Sequence, residues 1–144
     1  MISAKILVVD DSTTDRLIIR NMLEGYQVLS ASGGMEAIQE IEAHPDINLI
    51  ILDLNMPGMD GFEVLKILKS NEQYQKIRVI ILTNYDELDN EIKGLREGAI
   101  DYIRKPAQMD SLRARIEIHL ELIRIQQTLE EQLSEKGLTF DLIF

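Results

Sequence analysis

Three stretches of this chain are unbroken apolar runs: ILVV at 6–9, LIIL at 49–52 and VIIL at 79–82. Each runs straight into a residue that chemistry can use: Asp10, Asp53 and Thr83. A short apolar run without alternation fits a strand covered on both faces, and such strands belong to parallel sheets with helices above and below. Between the runs the apolar period becomes helical, as in Leu17, Ile18, Met22, Leu23, then Met35, Ala37, Ile38, Ile41, then Phe62, Leu65, Ile67, Leu68. YQVLSA at 26–31 and AIDYIRK at 99–105 read as two further strands, the second closed by Pro106. ELDNEIKGLREG reads as a helix with Gly98 as its C-terminal glycine, and a single long helical pattern runs from about Gln108 to Glu135. Five strands alternating with five helices predict an α/β protein, an open, doubly wound parallel sheet with an elongated C-terminal helix. In such sheets the site lies at the carboxyl ends of the strands, near the point where strand order reverses.

Composition narrows the function. The 144 residues make one ordinary domain with a little to spare, and 45% of them are hydrophobic, enough for a real core. No apolar run approaches the ~20 residues of a membrane span. The opening MISAKILVVDD lacks a signal-peptide pattern, and without cysteine there is neither a disulfide framework nor a thiolate metal site. A cytoplasmic protein with no membrane contact is expected. The net charge of −10 argues against direct nucleic-acid binding, since phosphate backbones attract Lys and Arg.

The strand ends hold the informative residues. Asp10 and Asp11 end the first strand, Asp53 the third, Thr83 the fourth and Lys105 the fifth. A parallel sheet places all five at one edge. Three carboxylates gathered there repel one another unless cations compensate. Lys105 supplies one charge; a hard divalent cation, Mg²⁺ or Mn²⁺, would supply two, and Mg²⁺ favours a few carboxylates with room for water and phosphate oxygens. A carboxylate oxygen can attack phosphorus and form an aspartyl phosphate, provided the incoming charge is neutralised. The loop LNMPGMDG after Asp53 turns sharply and leaves room for such a group.

ILVVDDS, IILDLNMPGMDGFEVL, VIILTN and GAIDYIRKP together resemble the receiver (response regulator) domain of bacterial two-component signalling systems, over residues 1 to about 122. The resemblance implies a flavodoxin-like strand order, 2-1-3-4-5. It implies Asp53 as phospho-acceptor, and Asp10, Asp11, Asp53 and the backbone carbonyl of Asn55 as ligands of Mg²⁺ or Mn²⁺. Thr83 and Lys105 would engage the phosphoryl group, Tyr102 would couple its rotamer to Thr83, and the Lys105–Pro106 bond would be cis. The implied partner is a sensor histidine kinase or a phosphotransfer protein. The protein would be a switch with slow autodephosphorylation, not a turnover enzyme. One position departs from the pattern: where the family usually has a small residue after the threonine, this chain has Asn84, followed by Tyr85. A larger side chain there should screen the phosphoryl group.

Plainer readings apply to other residues. Asp60 with Glu63 reads as a helix cap, as do Ser12 and Thr13. Gly33-Gly34 precedes a helix without the spacing of a nucleotide-binding loop. His44 and His119 lack a ligand partner at useful spacing. An aspartyl-phosphate phosphatase is the enzymatic alternative, but such enzymes place an acid two residues after the nucleophile. Here that residue is Asn55, and an amide cannot take a proton from water. A receiver-like interaction module that is never phosphorylated is the other alternative, and the costly acid cluster speaks against it.

The last helix carries two stripes. Leu112, Ile116, His119 and Ile123 share one, expected to pack on the sheet. Ile118, Leu122, Ile125 and Leu129 share another, at heptad spacing, which points to a parallel coiled coil with a second copy, as a homodimer, or with the next domain's helix. The organisation expected is a receiver domain over 1–122, a helical coiled-coil linker over 123–136 and the start of a following segment over 137–144. Gly137 should end the helix, and the apolar run with Phe140, Leu142, Ile143 and Phe144 resembles the run-in to a PAS-type domain, so that the helix would relay to an output domain.

Overall fold

In a computed structural model the chain is described over residues 3–84, 86–106 and 108–137. The strands are β1 (Lys5–Val9), β2 (Gln27–Ala31), β3 (Leu49–Asp53), β4 (Arg78–Asn84) and β5 (Asp101–Lys105). The helices are α1 (Thr13–Met22), α2 (Gly34–Ala43), α3 (Gly61–Lys69), α4 (Leu88–Arg96) and α5 (Leu112–Glu135), with one 3₁₀ turn, Met109–Ser111, leading into α5. All strand pairs are parallel and the order is β2-β1-β3-β4-β5. This is the doubly wound, flavodoxin-like sheet expected from the run-and-helix alternation.

Alternation of side chains across each strand builds two cores. Leu7, Val9, Ile50, Leu52, Val79 and Ile81 face α2 and α3 through Ala37, Ile41, Val64, Leu65 and Leu68. Ile6, Val8, Leu49, Ile51, Ile80, Leu82 and Ile103 face α1 and α5 through Ile19, Leu23, Leu112, Ile116 and Leu120. Every residue of β3 is buried, so the central strand is fixed from both sides. Each such Leu or Ile contributes about 1.5–3 kcal/mol of burial. Rigid anchoring of β3 holds Asp53 at its end.

The predicted caps form. Ser12 Oγ accepts from Asp15 N at 3.2 Å to start α1, and Asp60 Oδ1 accepts from Glu63 N at 3.0 Å to start α3. Thr13 is the first residue of α1 rather than its cap. Gly98 and Gly137 follow α4 and α5 with φ of +116° and +72°, the left-handed backbone that favours glycine at a helix end.

One stripe of α5 differs from expectation. Leu112, Ile116 and Leu120 are buried, with Ile123 packed beside them, so Leu120 and not His119 completes the sheet-facing stripe. An imidazole needs a polar partner, and His119 Nε2 finds the Asp101 carboxylate at 3.1 Å, at the start of β5. The second stripe is exposed: Ile118 by 59%, Leu122 by 55%, Ile125 by 43% and Leu129 by 39%. At 24 residues α5 is about 36 Å long, roughly twice the length of the strands it packs on. The apolar run after Gly137 lies outside the described residues. No helix among the described residues is long and apolar enough to cross a membrane.

Candidate functional site

The site forms where the strand order reverses, between the ends of β1 and β3. β1 stops at Val9, so both acids lie just beyond the strand instead of ending it, but Asp10 stays tied to the sheet through its N–H to Ala31 O at 3.1 Å. Asp10 is fully buried, and its Oδ1 accepts from Ser12 N at 2.9 Å. Its other oxygen, Oδ2, receives Lys105 Nζ at 2.5 Å. The next residue, Asp11, is exposed. Asp53, 5% exposed, accepts from Asn55 N at 3.0 Å through Oδ1. One oxygen from each of Asp10, Asp11 and Asp53 lies within 4.8 Å of the others.

The loop after Asp53 needs its glycines. Gly58 has φ of +74°. A Cβ on Gly61 would stand 2.5 Å from the Asp53 carbonyl oxygen and 2.7 Å from Leu54 Cα, so only hydrogen lets α3 begin this close to the end of β3.

Lys105 reaches into the acids from β5. Besides Asp10, its ammonium contacts Asp15 Oδ2 at 2.9 Å and Asp53 Oδ2 at 3.6 Å. Burial works against its charge, but the hydrogen bonds to Asp10 and Asp15 and the charges of Asp53 and Asp10 outweigh it and hold the lysine pKa above its ordinary value. For Asp53 burial wins: aided by the neighbouring Asp10, it pushes the carboxyl up to about 7, against the lowering pull of the Asn55 N–H and Lys105. One ammonium does not neutralise the cluster.

That shortfall fits a hard divalent cation. The donors are carboxylate oxygens alone, and the exposed Asp11 leaves the cluster open to water on one side. Oxygen-only, open donor sets suit Mg²⁺ or Mn²⁺ and not thiolate- or imidazole-seeking metals.

The other anticipated residues are placed differently. Thr83 is buried, and its hydroxyl donates to Glu91 Oε2 at 2.8 Å. Asn55 Nδ2 donates to both Glu87 oxygens at 2.9 and 3.1 Å, and Asn84 Nδ2 reaches the same carboxylate at 3.4 Å. Tyr102 is half-buried, with the Arg104 guanidinium 5.5 Å from its ring centre. The Lys105–Pro106 bond is cis. Tyr85 lies outside the described residues. Five polar residues beside the site escaped the sequence reading: Asp15, Arg16, which donates to the Asp10 carbonyl at 2.6 Å, Glu87, Glu91 and Arg104. Asp15 left a signal, the Ser12-x-x-Asp15 cap spacing that places it one turn from Asp10.

Fold and pocket together define a flavodoxin-like protein with an acidic, cation-accepting site at the switch point. The chain belongs to the response regulator receiver domain family, whose profile it matches over residues 6–117. It is 38% identical over 125 residues to sporulation initiation phosphotransferase F of Bacillus subtilis, covering 85% of this chain and 98% of that one. It is 38% identical over 119 residues to chemotaxis protein CheY1 of Helicobacter pylori, covering 81% and 96%. Among solved structures, NtrX from Brucella abortus superposes with a TM-score of 0.83 at 27% identity, covering 91% of this chain and 30% of that one. Receiver domains are signalling switches rather than turnover enzymes, and they bind Mg²⁺ through an acidic pocket of this kind.

Proposed function

We propose that this protein is a phosphorylation-controlled switch of a two-component system, with Asp53 as phospho-acceptor. The supporting observation is the buried Asp53 carboxylate set between Lys105 and the acid pair Asp10 and Asp11 at the carboxyl edge of the sheet. An Asp53 oxygen attacks phosphorus. The P–N bond of a phosphohistidine on the partner kinase or phosphotransfer protein breaks, and its electron pair leaves with the imidazole nitrogen. Lys105 steadies the charge on the phosphoryl oxygens. Asp10, Asp11, Asp53 and the Asn55 carbonyl would hold Mg²⁺ or Mn²⁺, which would neutralise the carboxylates and the transferring group. Thr83 then donates to a phosphoryl oxygen, and Tyr102 follows it. With Asn55 where a phosphatase would carry an acid, the phosphoryl group is stored and lost slowly.

In this reading the receiver unit spans 1–122, and 123–136 is a coiled-coil linker that relays the change to an output domain beyond. The exposed Ile118–Leu122–Ile125–Leu129 stripe supports pairing with a second copy, because heptad seams are self-complementary. The protein acts in the cytoplasm.

The test is intact mass after incubation with acetyl phosphate and Mg²⁺. One added phosphoryl group, absent in Asp53→Ala and with EDTA, supports the switch. No addition, with Mg²⁺ binding shown separately, leaves an interaction module.

A further inference from the structure

Glu91 is a carboxylate on α4 with 1% of its side chain exposed, buried behind the fourth strand. Both of its oxygens are hydrogen-bonded. Arg104 on β5 grips it with two prongs, Nε to Oε2 at 2.8 Å and Nη2 to Oε1 at 2.7 Å. The Thr83 hydroxyl adds its bond to Oε2. These donors hold the Glu91 pKa below the usual carboxylate range, the arginine hydrogen bonds first, against the cost of burial. Gly94, one turn on, lets α4 lie against β4: a Cβ there would come 2.4 Å from Ile81 Cδ1. Glu91 is therefore pressed against the strand end that carries Thr83.

A threonine hydroxyl has one proton to donate. While Glu91 takes it, a phosphoryl oxygen on Asp53 cannot. We propose that Glu91 is a positioning residue that latches Thr83 away from the phospho-acceptor, so that filling Asp53 must first win the hydroxyl from this carboxylate. This rests on the reading of Asp53 and Thr83 given above. Arg104 makes the latch reversible. When Thr83 leaves, both Glu91 oxygens keep a guanidinium donor, and no buried charge is orphaned. The same exchange frees one tie between β4 and α4 while keeping the α4–β5 tie. Occupancy of Asp53 is thereby linked to the seating of α4.

The experiment measures the apparent affinity of beryllofluoride, a phosphoryl mimic, in Mg²⁺ by calorimetry. The informative variant is Glu91→Leu combined with Arg104→Met, which removes the acceptor and the guanidinium together, since apolar replacement of a whole buried pair commonly preserves folding. The double variant should bind roughly tenfold more tightly, the scale of one hydrogen bond to a charged group. Repeated on a Thr83→Val background the gain should vanish, which a merely structural role would not produce. Unchanged or weaker binding in the double variant overturns the latch, as does a gain that survives without the Thr83 hydroxyl. Should the double variant not fold, the Glu91 carboxylate ¹³C resonance of the parent decides: it should move on beryllofluoride addition, and a stationary resonance overturns the latch. If the parent shows no binding that Asp53→Asn abolishes, the phospho-acceptor reading itself fails, a separate outcome.

Discussion

The Lys105 ammonium stands 3.6 Å from the Asp53 carboxylate. Residues 52 positions apart meet because β3 and β5 flank β4 and both end at the same edge of the sheet. The contact is longer than those Lys105 makes to Asp10 and Asp15, so the lysine is bonded to the flanking acids and holds Asp53 more loosely.

Removing the lysine should therefore hurt stability through Asp10 more than through Asp53. Lys105→Met leaves a fully buried Asp10 with no ammonium, and breaking such a pair costs about 3–5 kcal/mol. Thermal melts at pH 8 in EDTA should show the loss. Mg²⁺ should restore part of it, because a second source of positive charge remains open to the same carboxylates. A variant as stable as the parent would contradict this role.

Asp53 should make the protein less stable as pH rises. Its folded pKa, pushed up to about 7 chiefly by burial, exceeds its ordinary value of 3.8. Between those values the unfolded chain has released the proton and the folded chain has kept it. Stability therefore falls as pH climbs through this window and levels off above about 7. Asp53→Asn removes the titration and keeps an acceptor for Asn55 N. In metal-free buffer it should melt above the parent at pH 8 by a few °C, on the order of 1 kcal/mol or more, and the gap should close toward pH 4. A gap independent of pH would sink the argument.

How much of this was readable beforehand depends on what kind of signal each part leaves. The sheet was legible because doubly covered strands such as Leu49–Leu52 cannot alternate, and the edge carrying Asp10, Asp11, Asp53 and Lys105 follows from parallel strands ending together. Glu91 was not. In α4 the apolar residues Leu88, Ile92 and Leu95 face solvent, while Glu91 and Gly94 face the strand, so helical periodicity points the wrong way. Tertiary pairing with Arg104, thirteen residues on in another element, decides which face is inside. His119 shows the same limit: helical angle alone places it on the stripe, but its partner Asp101 comes from a separate element, the start of β5.

The two adjacent acids should separate on mutation. Asp10 is buried and bonded to Ser12 N and Lys105, whereas Asp11 is exposed. Asp11→Asn should lose Mg²⁺ affinity with the melting temperature of the metal-free protein unchanged. Asp10→Asn should lose both, since its charge offsets Lys105. Calorimetric Mg²⁺ titration beside melts in EDTA checks this, and equal loss of stability in both variants would refute the distinction.

Asn84 should lengthen the life of an aspartyl phosphate. Asn55 joins the β3–α3 loop to Glu87 of the β4–α4 loop beside Asp53, and the Asn84 amide at the end of β4 bonds the same Glu87 carboxylate. Asn84→Ala leaves the Asn55–Glu87 bond in place but removes the bond that steadies Glu87 and the bulk that screens the site, and so opens the site to water. Loss of phosphate should quicken at least about twofold, or ~0.4 kcal/mol of barrier. Identical half-lives by intact mass would remove any role for Asn84.

The exposed stripe of α5 makes the last case. Ile118, Leu122, Ile125 and Leu129 lie on one side of a helix whose other side packs Leu112, Ile116 and Leu120 into the core. Pairing two copies along the stripe would cover four large apolar residues on each chain, and each such burial is worth about 1.5–3 kcal/mol before ordering costs. Two heptads make a short seam, so association should be reversible and concentration-dependent. Sedimentation equilibrium should find dimer at high concentration for the parent. Leu122→Lys, at an exposed position that the folded monomer does not need, should be monomeric throughout with an unchanged melting temperature at low concentration. A parent monomeric at every concentration would assign the stripe to a different partner.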